Sequence, residues 1–335
     1  MTTYLAATGT ALPNDPIGND TMAEHFGTSA AWIEAFIGTR QRYLAVELAT
    51  GRVTHTLADL GAQAGGQALA RAGLEPHDVD FVVLSTATPD HLMPATVNLV
   101  AEALGIHEVP TYQLQSGCAG AVAALQVAAA IVESTGRTGL VIGADSCSKH
   151  LVARDFAALS APELVNYVIF GDGAGAVVIT PDEVRPCMVL RLVVNDFVGL
   201  GCPPGQVVNW FNVAGAGTGE QAVHEDYKAI ERRVPPMAKD VLRLLLEGTG
   251  WSMADLAYLL PPQLSGRMTA SIVKALGVDA AEEVSCVADT GNNANALPFV
   301  QLDLLAQRIR PGQRALGIAI ESSKWIRTGF AVEGV

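Results

Sequence analysis

Cys118 stands in LQSGCAGAVAAL, residues 114–125, where an extended stretch gives way to a helix of small residues. A cysteine attacks as its thiolate, and a helix N-terminus stabilises that anion through unpaired N–H groups and its dipole. Gly117 permits a tight turn out of the strand, and Ala119, Gly120 and Ala121 leave room for a substrate beside the sulfur. Backbone N–H groups of the same turn can form half of an oxyanion hole for the attacked carbonyl. A lone cysteine is equally at home as a small buried hydrophobe. The motif alone leaves the two readings level.

The elements around Cys118 alternate. VDFVVLSTA (79–87) reads as a strand, TVNLVAEAL (96–104) as a short helix and TYQLQS (111–116) as a strand. A helix from about Cys118 to Ser134 and the strand GLVIGAD (139–145) follow, which predicts an α/β fold with helices covering a sheet. The second half repeats the order: DLAYLLPP (255–262) echoes DVDFVVLS (78–85), TGNNANALPF (290–299) echoes SGCAGAVAAL (116–125), and QRALGIAIESS (313–323) echoes RTGLVIGADSC (137–147). Spacings agree, with Asp78 to Cys118 at 40 residues against 37 for Asp255 to Asn292, and Cys118 to Asp145 at 27 against 29 for Asn292 to Glu321. Generic α/β chains also show weak self-similarity. A true duplication gives one half at 1–180 with Cys118 and another at 181–335 with Asn292. Each residue would then open a core helix, and a pseudo-twofold axis would turn both toward one site.

The 335 residues are half hydrophobic, with mean hydropathy +0.29, enough for a large core. No run of about 18 apolar residues suggests a membrane span, and MTTYLAATGTALP does not read as a signal peptide. Five widely spaced cysteines (Cys118, Cys147, Cys187, Cys202, Cys286) without a C-x-x-C pair predict free thiols in a reducing cytoplasm, with no zinc ribbon or other metal site. A net charge of −13 argues against nucleic acid and anionic membranes, and an acidic carrier protein would need a local basic patch.

Taken together, STATPDHLMP (85–94), QSGCAGAVAALQVA (115–128), VIFGDGAGAVVI (168–179), DTGNNANA (289–296) and WIEAFIGTRQR (32–42) resemble the ketoacyl-ACP synthase III branch of the thiolase superfamily over nearly the whole chain. In that setting GDGAGA is expected as a structural turn between strands. The resemblance implies the thiolase fold with duplicated αβαβα layers and a homodimer. It also implies that Cys118 takes an acyl group from a CoA or carrier-protein phosphopantetheine thioester, with no further cofactor. Asn292 would complete the site, and Trp32 would stack on the adenine of CoA.

Three positions depart from the family pattern. Its catalytic histidine falls at Pro262 in LLPPQLSGRM (259–268), although Gln263 and Arg267 still match. Small residues before a tryptophan become ESSKW (321–325), so an N–H near Ser322 is left to complete the oxyanion hole in a reshaped pocket. The arginine four residues after Trp32 becomes Phe36. Decarboxylative condensation uses two donors to hold an enolate, and losing one preorganised donor costs about 10²–10³ in rate. An acyltransferase passing its acyl group to a heteroatom of a small-molecule acceptor, nitrogen ahead of oxygen, is therefore the first expectation. A decarboxylative carbon–carbon condensing enzyme and a non-catalytic subunit of a heterodimer are the alternatives. His91, after a strand expected to end near the site, and His224, before a long helix, are the candidate stand-ins for the lost imidazole; Asp226 and Asp289 lie close to His224 and Asn292. The Gly-rich stretch 196–222 is expected to roof the tunnel or to form a surface connection.

Overall fold

Apolar runs without alternation become central strands. FVVLST (Phe81–Thr86), GLVIGADS (Gly139–Ser146) and DGAGAVVIT (Asp172–Thr180) are buried at every position in the computed structural model, which describes residues 2–150, 161–182, 188–209 and 223–335. Of the expected roof at 196–222, residues 210–222 lie outside the described residues, as does Cys187. Strands buried on both faces need helices above and below, so they show no polar side.

Ten strands form one ladder: Glu282–Glu283, Leu256–Leu260, Arg314–Glu321, Ile326–Gly334, Met188–Phe197, Thr3–Ala11, Asp172–Thr180, Gly139–Ser146, Phe81–Thr86 and Thr111–Gln115. The order mirrors about the central antiparallel pair Thr3–Ala11 and Met188–Phe197. Outward from it, each half has two antiparallel pairings and then two parallel ones. Five strands in the same order with the same polarity in each half are the duplication, written in topology.

Helix Gly120–Thr135 and helix Leu297–Ala306 share one apolar cluster with strand residues of both halves, including Val83, Val141, Tyr258 and Phe330. They form the middle layer. Helices Leu57–Ala72 and Thr96–Leu104 cover the outer face of the first half, and Tyr227–Thr249 with Gly266–Leu276 cover that of the second. The middle helices suit the gap because one is rich in Ala and Val, while the other is buried around nearly its whole circumference, Gln301 and Asp303 included. Phe299, Leu302 and Leu305 are fully buried there, each contributing about 1.5–3 kcal/mol. Asp303 ties the layers together, accepting from Thr8 Oγ1 at 2.6 Å and from Arg71.

Gly120 is required by a close approach. A Cβ on it would lie 2.0 Å from Ser85 Oγ and 2.4 Å from Asn295 Oδ1. The small residues around Cys118 therefore serve packing between the halves as well as substrate room. GDGAGA differs from its expected turn, because its residues from Asp172 onward begin the strand Asp172–Thr180. Its glycines admit neighbours, as a Cβ on Gly175 would meet that of Phe299 at 2.5 Å.

Candidate active site

The chain turns at Gly117 and Cys118 between strand Thr111–Gln115 and helix Gly120–Thr135. Two clamps hold this turn, and both come from the other half of the chain. Asn295 Nδ2 donates to Ser116 O at 2.8 Å and to the buried carboxylate of Asp145 at 2.7 Å. Glu321, at the end of strand Arg314–Glu321, accepts from Ser116 Oγ at 2.7 Å and from Gly117 N at 2.9 Å, and Ser323 Oγ bonds its other oxygen. The Glu321 carboxylate is thus a polar clamp on the turn that carries Cys118.

Burial pushes the Cys118 thiol well up, and the carboxylates of Glu321, Asp145 and Glu225 push it further. Cys118 lies two residues before the helix begins, so the expected activation by the helix end is outweighed. The resting group is a thiol, which needs a base or a proton-accepting partner to attack. Glu321→Gln keeps an acceptor for Gly117 N but removes one negative charge. The Cys118 pKa should fall, raising both the thiolate fraction and the rate of iodoacetamide alkylation at pH 8. Each tenfold drop in the thiol's proton affinity makes alkylation about tenfold faster. An unchanged alkylation rate would show that Glu321 exerts no field at the sulfur.

Asn292 sits between the helix Val287–Thr290 and the 3-10 turn Ala294–Ala296, five residues ahead of Leu297–Ala306. It therefore does not open its helix as Cys118 nearly does. Its place is fixed by a bridge to Phe170, with Asn292 N donating to Ile169 O at 2.9 Å and Gly171 N to Asn292 O at 3.1 Å. The side chain is also oriented: Nδ2 donates to Leu264 O at 3.0 Å and Oδ1 accepts from Ala294 N at 3.1 Å. Among the described residues Nδ2 has no second acceptor, which leaves one amide proton for a substrate.

Cys118, Asn292 and Ser322 line one cavity of about 410 Å³, within the size range of small-molecule sites. Trp32 and Phe36 line it too, with ring centroids 5.9 Å apart, and Phe36 is 60% exposed. Arg267 stands 6.0 Å over the Phe36 ring and donates to Ala35 O, so a cation reaches this aromatic patch from a different element.

Other expected residues fall elsewhere. Pro262 is buried but is not among the cavity-lining residues; Leu264 and Ser265 form that wall, while the Pro262 carbonyl accepts from Thr269 Oγ1. His91 is exposed and does not line the cavity. His224 is also exposed and outside it. Asp226 caps helix Tyr227–Thr249 through Ala229 N at 2.9 Å, and Asp289 pairs with exposed Arg40. A cavity-lining residue that sequence reasoning missed is Glu225, neighbour of His224 on the short strand Val223–Glu225. Strand alternation turns His224 outward and Glu225 to the cavity. That period of two was the available signal.

Comparison with known proteins agrees with this architecture. Residues 112–195 match the family 3-oxoacyl-[acyl-carrier-protein (ACP)] synthase III, and residues 246–322 match its C-terminal part. A β-ketoacyl-[acyl-carrier-protein] synthase III of Neisseria meningitidis serogroup A is 30% identical over 317 residues, covering 93% of each chain. The structure of AbyA1, a tetronic acid condensing enzyme, is 50% identical with a TM-score of 0.94, covering 99% of this chain and all (100%) of that one. FabH from Pseudomonas aeruginosa, a 3-oxoacyl-(acyl carrier protein) synthase III, is 26% identical with a TM-score of 0.85, covering 100% of this chain and 98% of its own. No helix among the described residues is long and apolar enough to cross a membrane. The chain belongs to the 3-oxoacyl-ACP synthase III family of the thiolase fold.

Proposed function

We propose that this chain condenses two thioesters into a tetronate-type ring, making one carbon–carbon and one carbon–oxygen bond without decarboxylation. The observation that carries the reading is the cavity itself. It brings Cys118 and Asn292 together, while among the described residues no histidine lines it. The half-identical relative named as a tetronic acid condensing enzyme supplies the ring.

The chemistry follows from cutting that ring. A tetronic acid opened at its lactone C–O bond and at the C–C bond to its enol carbon gives a 2-hydroxyacyl unit and an acyl thioester. The α-carbon of the second piece is the nucleophile. Drawn from a malonyl thioester, it must lose carbon dioxide to an enolate held by two donors. Drawn from a 3-oxoacyl thioester, its C–H is already acidified by two carbonyls, and no carboxylate need leave. A site with Asn292 and no imidazole fits the second case.

Three transfers then balance. Cys118 sulfur takes the 2-hydroxyacyl group from an acyl-CoA or acyl carrier protein, and the donor thiol leaves. The α-carbon attacks the Cys118 thioester, forming the C–C bond and restoring the thiol. The hydroxyl finally attacks the acceptor thioester, forming the C–O bond and releasing the second thiol. In this reading the acyl group on Cys118 passes to carbon rather than to the heteroatom acceptor expected from sequence, and the heteroatom step is the hydroxyl's attack on the acceptor thioester. The enzyme acts as a homodimer without metal or redox cofactor.

The test supplies a 2-hydroxyacyl carrier protein with a 3-oxoacyl thioester, and in parallel with carboxyl-labelled malonyl thioester. The expected product is a ring whose mass equals the two acyl thioesters less two thiols, with no labelled carbon dioxide released. Carbon dioxide release at the turnover rate would make the chain a decarboxylative condensing enzyme. Failure of Cys118 to load from any donor would make it a silent subunit.

A further inference from the structure

A site built on a thiol rather than a thiolate, and lacking the family's imidazole, still has to move protons. Each acyl transfer takes one from an incoming nucleophile and delivers one to a departing sulfur. Glu225 lines the same cavity as Cys118 and Asn292, and its charge is felt at the Cys118 sulfur. It is supported on two sides. Gln206 Nε2, from the partner strand Gln206–Val208, donates to Glu225 Oε1. Tyr227, at the start of helix Tyr227–Thr249, has one phenol proton to divide between Glu225 and Asn166 Oδ1. A carboxyl group with a fixed amide donor, a phenol beside it and one face on the cavity is more than a wall residue.

We propose that Glu225 is the general base and acid of both half-reactions. The inference rests on the acyl-Cys118 reading above. In loading, the Glu225 carboxylate takes the Cys118 proton as sulfur attacks the donor thioester, and the acid formed protonates the leaving thiolate. In transfer, the carboxylate removes the acceptor proton, and the freed electron pair forms the new bond to the acyl carbon. The carbonyl electrons then collapse to expel Cys118 sulfur, which takes the proton back from Glu225. Nothing is oxidised, and Glu225 ends each half as it began.

Its surroundings suit the task. Burial pushes the Glu225 carboxyl up to about 7 against the pull of hydrogen bonds from Tyr227 and Gln206, the range in which a base works best at neutral pH. The other titratable groups around it are Tyr227, Cys118, Cys147 and, on the cavity wall, Glu231. Its chain neighbours take no part, since Asp226 caps the helix and His224 faces outward.

The test follows both half-reactions across pH 5.5–9, by intact mass for loading and by product for transfer. Wild-type rates should rise through about pH 7, where Glu225 deprotonates. Glu225→Gln should slow both by about 10²-fold and flatten that limb, and Glu225→Asp should recover part of the rate with the limb restored. Gln206→Ala removes a hydrogen bond that holds the carboxyl down, so its limb should move to higher pH; this reading survives even if Glu225→Gln fails to fold. Wild-type rates and an unshifted limb in Glu225→Gln, or an unmoved limb in Gln206→Ala, overturn the assignment while leaving the acyl-enzyme reading intact. A wild-type protein that never loads overturns both.

Discussion

Cys118→Ala incubated with a panel of acyl-CoA and acyl-carrier thioesters gains no mass, and its turnover falls at least ~10⁴-fold, as expected when the nucleophile of a covalent mechanism is removed. The described alternatives are poor nucleophiles or lie away from the cavity. Burial pushes Cys286 up to about 12 and Cys147 well above its ordinary value, and Cys202, beside the Arg233 guanidinium, lies outside the cavity. The substitution deletes one sulfur from a turn whose backbone is held by Asn295 and Glu321, so the fold should persist. Intact mass and a melting curve check both halves of the statement. An adduct that survives at full occupancy in the alanine protein would place the acyl group elsewhere and remove the basis of the proposed function.

Position 118 is readable because three independent patterns meet there: a strand, a glycine turn and a small-residue helix. The internal repeat extends the reading to Asn292, and the mirrored strand order is its structural counterpart. What the repeat does not convey is local register. Asn292 precedes its helix by five residues where Cys118 precedes its own by two, because a 3-10 turn is inserted at Ala294–Ala296. Equivalent places in a duplicated fold are equivalent in topology, and side-chain direction is reset by each loop.

The rest of the site is hidden for a different reason. Pairing of Gln206–Val208 with Val223–Glu225 involves three residues on each side, too few to show a period against a Gly-rich background. Residue type then outweighs position, and it favours the histidine over the glutamate beside it. Glu321 is visible in the sequence, but its role as acceptor for Ser116 and Gly117 requires contacts across about 200 positions. Pro262 is legible in the sequence, whereas the wall that Leu264 and Ser265 form in the cavity is not.

Asn292→Ala should still load an acyl group on Cys118, while transfer to the acceptor falls about 10²–10³-fold, the usual cost of one preorganised donor at a developing oxyanion. The split follows from placement. Loading needs the sulfur and N–H groups of its own turn, whereas transfer creates negative charge on the acceptor's carbonyl oxygen, where the free amide proton of Asn292 is available. The substitution has a structural cost as well, since Leu264 O and Ala294 N lose their partner, worth about 1–3 kcal/mol for buried groups left unpaired. Acyl occupancy separates the two effects: a merely destabilised protein loses loading and transfer together and melts earlier, while loss of a donor leaves the acyl-enzyme accumulating. Single-turnover transfer from preloaded protein gives the number. If the loaded alanine protein transfers at the wild-type rate, the enolate is held by some other group, and the pairing of Cys118 with Asn292 in one cavity is architecture inherited from the family rather than chemistry used by this chain.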